Sequence, residues 1–427
     1  MHNGYDAELT PWQVLVAVWL VAVAGFAVRR LARSDTRTVW FVLIVHVLFC
    51  GAPLVLDLVF AAPRYSYQSG FAMSQFDRPT NAIYLAYISA VPLLLLAFGS
   101  LGGGFTFARP PSAGVSIGWR TRALAWAALV AVPLALAVAP DPTIYLRYDS
   151  ALVTTGADAA SFHALLTVLL NVAIIGGVLL LTDSGGSVFS KLTAIPFLVA
   201  SFWLNGKRAL VAIAAMLLIY LLWRRGSLRG ARLVLVGACA TLGILVYSAV
   251  YQRAVRPTDE RLLDVRAYSQ SSTYADFRTD FGRDAIIKQT IFSELYPERM
   301  RVLEFRGQSL LFDVTFFVPR RWWPDKPLPY SVYATSAMLD IPVRDVGWGI
   351  TTTWLEEAIA NFGWWGLLLG PMVPGLVCAI GDRRAHPGVR SLTLIVASLL
   401  LSVHLAAFIS LALLWLASLA IVRSTKT

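Results

Sequence analysis

Apolar blocks of bilayer length recur along almost the whole chain, and nothing else in the sequence restricts the fold so strongly. About eleven segments approach the ~17–25 residues that a helix needs to cross a hydrocarbon core. They lie at 12–28, 39–60, 81–101, 123–139, 161–182, 192–204, 209–223, 233–250, 363–380, 391–404 and 408–422. In hydrocarbon every backbone N–H and C=O must be bonded within the protein, which makes helices the spanning element for runs of this length. Composition agrees: 57% of the 427 residues are hydrophobic and 14% charged, against about 25% charged in a soluble domain. A soluble enzyme, a disordered chain and a disulfide scaffold are excluded. The expected fold is an all-α polytopic membrane protein of about eleven transmembrane helices with a large extracytoplasmic loop. Residues 1–250 are expected to hold spans one to eight, 251–362 a cap with short helices, and 363–427 spans nine to eleven.

The net charge of +11 is distributed unevenly. Segments 29–38, 102–122, 183–191, 224–232, 381–390 and 423–427 together carry 17 Lys and Arg, while 1–11, 61–80, 140–160 and 205–208 carry five. Basic loops stay in the cytoplasm, so the N-terminus is expected outside and the C-terminus inside. The same rule favours a break near His404–Ala407 over one long helix across 391–422, since an unbroken span would place Arg423 and Lys426 outside. The basic balance therefore calls for anionic lipid headgroups, not nucleic acid. Residues before the first span include Asp6 and Glu8 and no Lys or Arg, so that span reads as a retained anchor. Cys50, Cys239 and Cys378 all fall inside predicted spans, far apart, and read as small apolar fillers.

Segment 251–362 departs from this pattern. Its 112 residues hold 14 Lys and Arg and 15 Asp and Glu. Phe305, Leu310, Leu311, Phe312, Phe316, Phe317, Trp322, Trp323 and Trp354 give it enough apolar surface to fold, which argues against disorder. A small helical cap lying partly in the membrane interface is expected.

Three motifs in or beside this segment have chemistry to offer. Asn205-Gly206-Lys207-Arg208 lies between two apolar runs with almost no loop. Lys207 and Arg208 are either snorkelling cations at a hairpin tip or a clamp for a diphosphate, with Arg208 as the planar fork and Lys207 as the point charge. Pro319-Arg320-Arg321-Trp322-Trp323-Pro324-Asp325-Lys326-Pro327 is stiffened by proline. Arg320, Arg321 and Lys326 could add anion contacts, and Trp322 and Trp323 either anchor the interface or offer faces to sugar rings. In the third, Thr353, Glu357 and Asn361 recur at i, i+4, i+8 on one helix face. Thr353 and Glu356 fit a capping box, whereas Glu357 is either a helix-end acid or a general base. Asp57, an acid near the outer end of the second span, reads as an interfacial or hydrogen-bonded acid rather than as a proton relay. No HExxH, Walker A or GxGxxG pattern occurs.

At these residues the chain resembles the O-antigen polymerase-like (Wzy-type) oligosaccharide repeat-unit polymerases of bacteria. Asn205-Gly206-Lys207-Arg208, the Pro-Arg…Trp-Pro-x-Lys-Pro segment at 319–327 and Glu-x-x-x-Asn-Phe-Gly at 357–363 carry the resemblance, in that order, over about 192–380. It implies a glycosyltransferase C-like enzyme of the bacterial cytoplasmic membrane that polymerises polyprenyl-diphosphate-linked oligosaccharides on the outer face, with no metal or other cofactor. Lys207 and Arg208, with some of Arg320, Arg321 and Lys326, would hold the donor diphosphate. Glu357 would orient or deprotonate the acceptor, with Thr353 and Asn361 on the same substrate-binding face. A polysaccharide chain-length regulator or a flippase would be the expected protein partner. The competing readings are a glycan ligase, a polyprenyl-phosphate-sugar glycosyltransferase and a non-enzymatic lipid or glycan transporter.

Overall fold

The structure, a computed structural model, describes residues 9–33, 35, 37–60, 69–102, 118–139, 142, 145, 157–183, 185–206, 208–224, 228, 230–255, 278, 281–346, 349–384 and 387–424. All regular structure among these residues is helical. In chain order the helices are α1 (Thr10–Ala32), α2 (Thr38–Phe60), α3 (Ser69–Phe76), α4 (Arg78–Gly99), α5 (Trp119–Ala137), α6 (Ala157–Thr182), α7 (Val188–Asn205) and α8 (Arg208–Arg224). They continue with α9 (Ala231–Val255), α10 (Asp284–Leu295), α11 (Gln308–Val314), α12 (Tyr330–Leu339), α13 (Trp354–Phe362), α14 (Gly366–Asp382), α15 (Pro387–Leu400) and α16 (Ile409–Ser424).

Among the described residues, eight helical stretches are long and apolar enough to cross a membrane, and three apolar helices, within α8, α15 and α16, are shorter. The chain is an all-α polytopic membrane protein. The last apolar run is divided: α15 ends at Leu400, a 3-10 turn follows at Leu405–Ala407, and α16 begins at Ile409. Cys50 and Cys378 are buried in the packed interior as expected of apolar fillers, while Cys239 is exposed on α9.

The chain divides into two compact units, and the division does not follow chain order. One comprises Met1–Ala108 and Leu263–Thr427, the other Arg109–Leu262. In the first, α14 packs against α4, α13 and α15, and α10 packs against α4 and α13. Small residues allow these close approaches. A Cβ on Gly375 would stand 2.9 Å from that of Phe98, and one on Gly381 would collide with Thr393. Asp382, at the end of α14, accepts from the backbone N–H of Thr38 at 3.0 Å and from its hydroxyl at 3.2 Å. It thereby satisfies first-turn donors of α2, as N-terminal caps do.

In the second unit, α6 packs along α5 and α7, and α8 packs on α9. Arg122 pairs with Asp183 at 2.6 Å and joins the start of α5 to the end of α6. Between α7 and α8 the chain turns through Gly206, whose φ of +70° suits glycine.

Candidate functional site

The site is built on α13. Thr353 caps this helix: its hydroxyl accepts from the Leu355 N–H at 3.2 Å, and Glu356 reaches back to the Thr353 backbone N–H and hydroxyl. The capping box read from the sequence is present, and it commits both side chains to the helix start. With Glu356 turned back on the cap, Glu357 faces another way. Its Oε1 accepts from the Ser309 hydroxyl of α11 at 2.8 Å. Asn361, one turn later, donates from Nδ2 to the same Ser309 oxygen at 2.8 Å and to the Glu357 carbonyl at 2.8 Å.

Asp313 lies one turn beyond Ser309 on the same face of α11. Its carboxyl and that of Glu357 are near enough to influence each other's protonation. Burial pushes the Asp313 carboxyl up to about 7, and the neighbouring Glu357 works in the opposite direction. Ser309, Asp313, Glu357 and Asn361 are all buried. Three of their oxygens, Asp313 Oδ2, Glu357 Oε2 and Asn361 Oδ1, have no hydrogen-bond partner among the described residues. A buried acceptor left unmatched costs about 1–3 kcal/mol, so this cluster is suited to hydroxyl donors arriving from outside the protein.

The surroundings fix the two helices. Arg306 bonds Glu294 of α10 at 2.6 Å and the Ala360 carbonyl at 2.8 Å, gripping the last turn of α13. Gly363 then leaves the helix at φ +62°, and a Cβ there would sit 3.2 Å from the Arg306 guanidinium. Arg283, fully buried, donates to the Ser402 carbonyl at 3.0 Å, lies over the Phe49 ring at 5.1 Å and is within electrostatic reach of Glu356. This ties down the break between α15 and α16.

A buried ion cluster lies in the same unit. Arg278 meets Asp57 through Nε at 2.8 Å and Nη2 at 2.7 Å, and meets Asp284 through Nη2 at 2.7 Å. Lys288 sits 3.9 Å from Asp284 and 5.0 Å from the centre of the Tyr84 ring. Burial alone would raise the Asp284 carboxyl, but the Arg278 charge and hydrogen bonds, with Lys288, pull it down to about 2. These two cations and two carboxylates balance, which suits a structural tie between α2 and α10 better than a relay.

The other residues singled out in the sequence are placed as follows. Lys207 lies outside the described residues. Arg208, in the second unit, places its guanidinium 5.4 Å from the centre of the Tyr251 ring. Tyr251 is flanked by Trp203 at 5.1 Å and Tyr247 at 6.1 Å. Asn205 bonds Asn171 at 3.3 Å, and its Oδ1 is buried with no partner among the described residues. The Pro319–Pro327 segment is a turn closed on itself. Arg320 donates to the Lys326 and Pro327 carbonyls at 2.9 and 3.0 Å, and buried Lys326 donates to those of Phe316 and Val318 at 2.9 and 3.1 Å. Burial pulls the Lys326 ammonium below its ordinary value, and Arg320 adds to the effect. Arg321 lies over the exposed Trp322 ring at 5.4 Å, and Trp323 is half-buried.

Sequence reasoning therefore singled out Glu357 and Asn361 of this cluster and passed over Ser309, Asp313, Arg283 and Arg306. The i, i+4 pairing of Ser309 with Asp313 around the apolar stretch Leu310-Leu311-Phe312 was a usable signal, while the two arginines had none. Among the described residues no group of three or more His, Cys, Asp or Glu could hold a metal ion. No family model, no curated protein and no solved structure matches the chain.

Proposed function

We propose that the protein is a membrane glycosyltransferase that extends a glycan carried on a polyprenyl diphosphate, using Glu357 to activate the acceptor. The observation that carries this reading is the Ser309–Glu357–Asn361 chain. One Glu357 oxygen is fixed by Ser309, the other lacks a hydrogen-bond partner among the described residues, and Asn361 holds a further acceptor beside it. A carboxylate held in one orientation with a free oxygen is suited to take a proton from a sugar hydroxyl. In the transfer, the acceptor oxygen bonds to the anomeric carbon as the bond from that carbon to the diphosphate breaks. The hydroxyl proton passes to Glu357, and the lipid diphosphate departs with the bonding electrons. Because diphosphate is already a good leaving group, the protein has to supply cations that stabilise its charge. Within the unit that carries Glu357, exposed Arg321 is assigned that part. The active site faces the outside of the bacterial cytoplasmic membrane, with the C-terminus in the cytoplasm.

Purified protein incubated with lipid-linked repeat units should yield a ladder of products. Glu357→Gln should remove the ladder and Arg321→Ala should weaken it, both with expression and membrane insertion unchanged. A full ladder from both variants rejects the assignment. Movement of the lipid across the bilayer with no change in glycan length would instead establish a transporter.

A further inference from the structure

Beyond Glu357 itself, we infer that Asp313 is its proton partner: the two carboxyls, one on α11 and one on α13, bind and release protons as a unit, and Asp313 acts as a positioning residue through Glu357. This rests on the reading of Glu357 as the group that receives the acceptor proton. Two i, i+4 pairs, Ser309 with Asp313 and Glu357 with Asn361, face each other. The Ser309 hydroxyl links them at 2.8 Å to both residues of the second pair. Asp313 is 5% and Glu357 1% exposed, and among the described residues neither carboxyl pairs with a cation. Two neighbouring carboxylates in a buried site, each influencing the other, resist ionising together, so they retain a proton between them.

Among the described residues, several titratable groups near the pair are already engaged. Tyr330 of α12 shares a 2.7 Å hydrogen bond with Thr290, Glu294 of α10 is paired with Arg306, and Glu356 is held in the capping box beside Arg283. The value of about 7 to which burial pushes Asp313 fits a pair that exchanges a proton near neutrality. In the catalytic cycle the acceptor O–H bond breaks and its proton passes to Glu357 Oε2. The pair then goes from one proton to two, and one is returned to water after the product leaves.

The test compares purified wild-type protein, Asp313→Asn, Asp313→Glu and Glu357→Gln in the lipid-linked ladder assay between about pH 5 and about pH 9. Infrared spectra are recorded over the same range to follow the carbonyl band of protonated carboxyls. Asp313→Asn should lower the rate about tenfold and shift the acid limb of its pH profile to higher pH by about one unit, because the one-proton pair spreads its single negative charge over two carboxyls and a lone carboxylate cannot. Asp313→Glu should restore most of the rate and the wild-type limb. The spectrum of wild type minus Asp313→Asn should contain a protonated-carboxyl band that titrates near neutral pH. A uniform drop in rate with an unmoved limb, or no such band, overturns the pairing. Should Asp313→Asn fail to fold, Asp313→Glu and the band lost in Glu357→Gln decide the matter on the same terms. If wild-type protein makes no ladder at any pH, the polymerase reading fails, while the infrared titration still accepts or rejects the pair.

Discussion

The Ser309 hydroxyl donates to Glu357 Oε1 at 2.8 Å, joining two short helices whose contacting residues are 48 positions apart in the chain. The contact fixes the orientation of the carboxylate that the proposed chemistry uses. Ser309→Ala removes two hydrogen bonds, to Glu357 and from Asn361, but leaves Asn361 bonded to the Glu357 carbonyl, so the stability cost should be about 2 kcal/mol. Loss of orientation should lower turnover about tenfold. Thermal melting in detergent and the ladder assay, run on the same preparation, separate the two effects.

Gly363 is needed where α13 ends. Its φ is +62°, and a Cβ added there would lie 3.2 Å from the Arg306 guanidinium, so backbone and neighbour both oppose a side chain. Gly363→Ala should cost about 1–2 kcal/mol from backbone strain alone, and more if Arg306 is displaced from the Ala360 carbonyl. A fall in melting temperature that Arg306→Ala largely absorbs in the double variant would identify the shared cause.

Arg278 holds two buried carboxylates, so Arg278→Ala leaves Asp57 and Asp284 without their main counter-charge. Removing one partner of a buried pair costs about 3–5 kcal/mol, and the variant should melt well below wild type. The acid response follows from Asp284, whose carboxyl is depressed from 3.8 to about 2. A depressed carboxyl stabilises the fold above its unfolded value, and that contribution disappears as pH falls through the folded value. Wild-type melting temperature should therefore drop between about pH 4 and about pH 2, and the slope should flatten in Asp284→Asn.

Asp313 has the opposite sign. Its carboxyl is raised from 3.8 to about 7, so its favourable contribution is complete below the unfolded value and is lost as pH rises through the folded one. Relative to Asp313→Asn, wild-type protein should lose stability steadily from about pH 4 to about pH 7 and then level off. Paired melting curves across that range measure this.

The cations of the Pro319–Pro327 turn are expected to separate by role. Lys326 donates to two carbonyls from a buried position, so Lys326→Met should cost about 2 kcal/mol and impair function only through stability. Arg321, exposed over Trp322, should behave differently. Arg321→Ala is expected to raise KM several-fold at unchanged melting temperature, as loss of a substrate contact does.

Much of the architecture was legible in the sequence because its causes are local. Apolar runs of bilayer length and the spacing of Thr353 with Glu356 act over a few turns of chain, and the structure contains the corresponding helices and capping box. The break before α16 was likewise signalled by the basic tail, through the rule that keeps such residues in the cytoplasm. The same spacing argument placed Glu357 and Asn361 on one face, the one that meets Ser309.

What the sequence could not supply was the partner of that face. Ser309 and Asp313 are separated from Glu357 by a turn, a helix and a loop. Only tertiary packing brings the two i, i+4 pairs together and buries them where their carboxyls interact. The Pro319–Pro327 cations show the same limit in the other direction. As residue types Arg320 and Lys326 suggest anion binding, yet the folded turn directs their donors at backbone carbonyls. Periodicity decides which residues share a helix face, because that is a property of one segment. Which groups meet, and whether a charge is available or already engaged, depends on contacts between segments and was decided only by the fold.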